Sequence, residues 1–109
     1  MNLSVLKLIN SNVAAFHEEG LRVYDAVAER LMAGEEVTIS FAGIQRCATQ
    51  FLHALMGKLY QHFATAEIER RVHFDFDGNE RTAQKADEVK WRAANASTYN
   101  DIITQATGS

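Results

Sequence analysis

The chain has 109 residues, 47% hydrophobic and 23% charged, with no proline, which is the composition of a single soluble globular domain large enough to bury a core without disulfides or metal. A formal net charge of −3 leaves no basic footprint for nucleic acid or an anionic membrane surface, and no apolar run approaches the roughly 20 residues needed to cross a bilayer. The single cysteine, Cys47, excludes an internal disulfide and fits a reducing, cytoplasmic setting, and the opening MNLSVLKLINSN lacks the pattern of a signal peptide.

Leu3 to Ile9 is a short apolar run in which Val5 and Ile9 flank Lys7, and this alternation predicts a strand near 3–9, broken by Ser11-Asn12. A helix is predicted over 17–33, because Tyr24, Val27, Ala28 and Leu31 recur at three and four to form one apolar face. Gly34 supplies a left-handed stop. β-branched Val37, Thr38 and Ile39 predict a strand at 36–42. The next helix is predicted over 48–63, with Leu52, Leu55, Met56, Leu59, Tyr60 and Phe63 as its buried stripe. Leu52, Leu55, Met56 and Leu59 are expected to pack with Ile39, Phe41 and Phe74, and Thr49 or a near neighbour is expected to be the N-cap, the Thr49 hydroxyl being able to accept a free backbone N–H.

Val72, Phe74 and Phe76 alternate with His73 and Asp75, which predicts a strand at 71–76. Asp77-Gly78-Asn79 is a turn signal. A helix is predicted over 80–95 from Ala83, Ala86, Val89 and Ala93, with Trp91 expected in the core or at the domain edge, and a last helix over 98–106. The order β-α-β-α-β-α-α implies one α/β domain over residues 1–109, with Gly108-Ser109 either a tail or a scar, and a small, mostly parallel sheet packed against helices. In such sheets, sites gather in the loops after the strand C-termini, and the crossing from Ile44 to Gln50 is such a loop.

The candidate chemistry is sparse. Cys47 in the crossing is the one thiol nucleophile available, but no base and orienting acid can be assigned to it. His53 and His62 stand nine apart, on nearly opposite helix faces, and His17 and His73 lie on other elements, so no metal site is expected. Asp75-Phe76-Asp77-Gly78 reaches its glycine too early for a calcium loop and reads as a β-turn. Neither G-x-x-x-x-G-K-[ST] nor G-x-G-x-x-G occurs, so neither nucleotide-phosphate loop is expected. No cofactor is called for by these residues.

Residues 17–63 resemble a bacterial STAS-like domain family of unknown function, related to sulfate transporter and anti-sigma factor antagonist (STAS) domains. Gly20 matches a glycine in the family's first helix. Gly34, Val37, Ile39, Phe41, Gly43 and Ile44 match its strand block, and Phe51, Leu55, Gly57 and Leu59 match its helix block. Two positions depart from the pattern. Ser40 stands where the family has an aspartate, and the serine-rich step is Cys47-Ala48-Thr49-Gln50, in which Ala48 replaces the aspartate next to the phosphoacceptor.

The resemblance implies a non-enzymatic signalling adaptor that binds a partner protein, a histidine-kinase-like ATPase or another signalling protein, through the loop 44–53. Gln45, Arg46, Gln50 and His53 are the partner-binding candidates, and Thr49 corresponds by position to the family's phosphoacceptor. Two other readings stand beside it: a small thiol enzyme using Cys47, and a phage or host-defence accessory protein in which the fold is only a scaffold.

Overall fold

The structure, a computed structural model, describes residues 2–93. Three strands, β1 (Asn2–Ser4), β3 (Val37–Ser40) and β5 (Val72–Asp75), form a parallel sheet in the order β1-β3-β5. Leu3 pairs with Ile39, and Ile39 with Phe74, so the apolar positions line up across the sheet. A second, two-stranded parallel sheet joins β2 (Val13–Ala14) to β4 (Arg46–Cys47). The α/β class with parallel pairing is therefore as expected, but the expected strand near 3–9 is not.

Only Asn2–Ser4 of that segment is strand; Val5–Ile9 is a helix, α1. Val5 and Ile9 are four apart, which places two side chains on one face of a helix as readily as on one face of a strand. The arbiter is Ser4. Its Oγ accepts the backbone N–H of Lys7 at 3.3 Å and caps the helix, and Asn10 closes it in the left-handed conformation, φ 54°. Val5 and Ile9 are both buried.

The helix α2 (His17–Met32) starts where the Glu19 carboxylate accepts the backbone N–H groups of Ala15 and Phe16, at 3.1 and 3.0 Å. It ends before Gly34, whose φ of +85° is open to glycine at little cost. The main partner of α2 is α3 (Thr49–His62). The two approach most closely at Gly20, where a Cβ would lie 2.4 Å from the Phe51 carbonyl oxygen and 2.7 Å from the Ala54 Cβ. The glycine is thus a condition of the helix crossing rather than a feature of α2 alone.

A short helix outside the predicted elements, α4 (Thr65–Arg71), leads into β5. It buries only Ile68, so no apolar periodicity marks it. Glu67 pairs with Arg70 and Arg71, and the Arg71 guanidinium donates to the carbonyls of Leu31 and Glu35 at 2.6 and 3.1 Å. A cation thereby satisfies backbone oxygens at the C-terminal end of α2 and ties α4 to it.

Leu52, Leu55, Met56 and Leu59 are buried in one cluster with Ile39 and Phe41, as expected, and half-buried Phe74 packs at its margin. Phe41 meets Phe51 edge-on at 6.3 Å and Phe76 at 5.2 Å, joining the end of β3 to α3. After the turn at Asp77 and Gly78, both with positive φ, a further helix, α5, runs from residue 80 to 93. Ala86 and Val89 are buried in it, whereas Trp91 is 67% exposed and not in the core, because at 3.6 residues per turn it falls on the face opposite Ala86 and Val89. The expected end of this helix at 95 and the helix over 98–106 lie outside the described residues.

Candidate functional site

The crossing from β3 to α3 is held from beneath. Gln45 N–H donates to the Asn12 carbonyl and Ala48 N–H to that of Ala14, both at 2.7 Å, which seats β4 against β2. The strand alternation then turns Arg46 outward and Cys47 inward, with Cys47 only 4% exposed. Gln45, Arg46, Thr49, Gln50 and His53 are all exposed. Thr49, Gln50 and His53 share one face of α3 by their spacing of three and four. Gln50 Nε2 donates to the Ala15 carbonyl, so the face continues to Phe16, which is 65% exposed.

Thr49 is not the N-cap. That position belongs to Ala48, whose φ and ψ of −80° and 149° are extended and which has no side chain to cap with. Thr49 is the first helical residue, one position too late for its hydroxyl to take the next free N–H groups. The reason is the bond from Ala48 N–H to Ala14, which holds Ala48 in strand geometry up to the point where the helix begins.

Cys47 does not have the surroundings of a reactive thiol. Burial pushes its pKa up to about 12, against a smaller opposing pull from Lys85. A thiolate, the nucleophilic form, is therefore suppressed at neutral pH. Among the described residues no cluster of histidine, cysteine and acidic side chains is arranged to hold a metal ion. His62 lies against the Tyr24 ring, and His73 pairs with Glu36 at 3.5 Å.

Beside the crossing lies a cavity of about 480 Å³. One wall is Gln45, Arg46, Cys47 and Ala48, with Val13 and Ala15 next to it. The opposite wall is the start of α5, with Asn79, Arg81, Thr82 and Lys85. Asn79 Oδ1 accepts the Thr82 N–H at 3.1 Å and caps α5, while Lys85 Nζ donates to the Cys47 carbonyl at 3.2 Å and links the walls. The first wall is visible in the sequence as the strand-to-helix crossing; the second is not. Arg81 and Lys85, four apart on a polar helix face, carry no local signal; only the fold brings them opposite Arg46.

No curated protein and no solved structure matches the chain. A family model described as a STAS-like domain of unknown function (DUF4325) matches residues 19–80, a segment running from the first turn of α2 to the first residue of α5. The match takes in Gly20, the β3 strand, the crossing and α3, which are the parts whose geometry the glycine and the strand register explain. It extends over more than half of the chain, and the chain therefore belongs to this STAS-like family.

Proposed function

We propose that the protein is a non-enzymatic adaptor domain that docks a partner protein on the surface formed by Gln45, Arg46, Thr49, Gln50 and His53. The observation that carries this reading is the continuity of that exposed row with the exposed Phe16 ring through the Gln50–Ala15 bond. Large aromatic side chains surrounded by polar groups are the usual anchors of protein interfaces. The backbone beneath them is fixed by the β2–β4 pairing, so docking would cost little ordering. By family resemblance the partner is a signalling protein of the histidine-kinase-like ATPase type. Thr49, exposed at the first position of α3, is the proposed phosphoacceptor; a phosphate there would gain from the helix N-terminus and recharge the docking face.

The test is affinity capture from the source cell with the wild-type chain and with Phe16→Ala, His53→Ala and Thr49→Glu. The expected result is one partner whose recovery falls in all three variants but not in Glu36→Ala, a substitution elsewhere on the surface. Equal recovery by every variant would refute the docking face. Incubating the captured pair with ATP and mapping phosphate by mass spectrometry tests Thr49 separately. Cys47→Ala is expected to leave capture unchanged, whereas a thiol enzyme would lose its turnover.

A further inference from the structure

We infer that the cavity between β4 and the start of α5 binds a small phosphate-bearing anion. Its volume of about 480 Å³ falls in the range of roughly 300–1,000 Å³ usual for small-molecule sites. Three of its lining side chains are cationic, Arg46, Arg81 and Lys85, and none is a carboxylate. This occurs in a chain whose net charge is −3, so the local positive charge runs against the balance of the whole.

Among the described residues no carboxylate pairs with Arg46, Arg81 or Lys85. Among the described residues, the ion pairs involve other basic side chains, and Lys85 meets only a neutral carbonyl. Arg81 and Lys85 stand four apart on one helix, an arrangement in which like charges repel. Arg46 adds a third charge from across the cavity. An anion between them turns this repulsion into attraction.

Two further features point the same way. Thr82, 4% exposed, is the buried polar residue of the described chain and forms part of the wall. Both α3 and α5 begin at the cavity, and no side chain caps the start of α3. Their positive ends add to the field. Guanidinium groups match phosphate oxygens in pairs, and a lysine and a hydroxyl complete a mixed set of donors. The lining holds no aromatic ring on which a base could stack, and its apolar side chains, Val13, Ala15 and Ala48 beside Cys47, are all small. The ligand is therefore free phosphate or a small phosphate monoester.

This inference does not rest on the docking reading. Arg81, Thr82 and Lys85 lie beyond the segment 19–80 that matches the family, and Phe16 and His53, which test docking, do not line the cavity.

The experiment is a titration of the full chain, followed by amide NMR at constant ionic strength, with inorganic phosphate, glycerol phosphate and a phosphoserine peptide in separate arms and chloride as the control. Saturable shifts confined to residues near 45–48 and 79–85 are expected with phosphate or glycerol phosphate; the tighter of the two names the source. Arg81→Gln should weaken binding about tenfold or more, as the loss of a charged hydrogen bond implies, and Arg81→Gln with Lys85→Gln should abolish it. Arg81 is exposed, so the single variant is expected to melt like the wild type and keeps the test valid if the double variant is destabilised. Unsaturable shifts, shifts equal in chloride, equal affinity in the Arg81→Gln variant, or binding of the phosphopeptide alone would each overturn the inference.

Discussion

The contact between α2 and α3 and the corner between β4 and α5 are built on opposite principles. The first is apolar and closed: Val23, Val27, Phe51, Leu55 and Leu59 are fully buried, and Gly20 lets one backbone rest against the other. On α3 the Tyr60 hydroxyl is a buried polar atom without a partner among the described residues. The second is polar and open, with three cations facing a cavity and a single lysine bond spanning the gap. Stability should therefore reside in the first and ligand response in the second, because burial of apolar area stabilises a fold while unneutralised charge can be relieved only by something that binds.

The sharpest way to break that contrast is Leu55→Ala, which removes a fully buried side chain from α3 and is expected to cost about 2–5 kcal/mol in urea unfolding. A loss below about 1 kcal/mol would mean that the helix pair is not the seat of stability. Gly20→Ala tests the same contact from the other side. The added Cβ meets backbone, not a movable side-chain end, so a loss of about 3 kcal/mol is expected, at the upper end of overpacking costs.

Cys47 sits on the boundary between the two regions, and its effect depends on pH. Its folded pKa, about 12, lies above the ordinary thiol value of 9.0, so the unfolded thiol ionises first. The contribution is fully present below pH 9 and is lost as pH rises through 12. The stability of the wild type relative to Cys47→Ala should thus fall by about 1.4 kcal/mol between neutral pH and pH 10, one unit above the unfolded value. A pH-independent difference would show that the thiol is not shielded.

The smallest expected effects separate the two helix starts at the cavity. Asn79→Ala removes a true cap and should cost about 1 kcal/mol. Thr49→Ala removes a side chain that caps nothing and should change stability by less than about 0.5 kcal/mol, so any effect of that variant on partner capture would report the docking face and not the fold.

Much of this was legible in the sequence where a pattern was long enough to exclude its rivals. The stripes of α2 and α3 repeat over four turns each, β3 and β5 alternate in apolar register, and Gly34 and Gly78 stand where the chain takes positive φ. Those elements needed only local periodicity, and the family resemblance followed from their order. The segment 5–9 was ambiguous because a spacing of four satisfies both a strand and a helix, and Ser4 decided between them through a bond to Lys7. β2 and β4 have two residues each, too few for any period; they exist because Val13 meets Arg46 and Ala14 meets Cys47 across more than thirty residues. For the same reason Ala48, not Thr49, is the N-cap of α3, and Arg46 comes to line one cavity with Arg81 and Lys85. Local patterns set the elements, since side-chain burial on one face is read residue by residue. Tertiary structure alone assembled the cavity, since its charge comes from segments that share no local pattern and meet only when the chain has closed around its core.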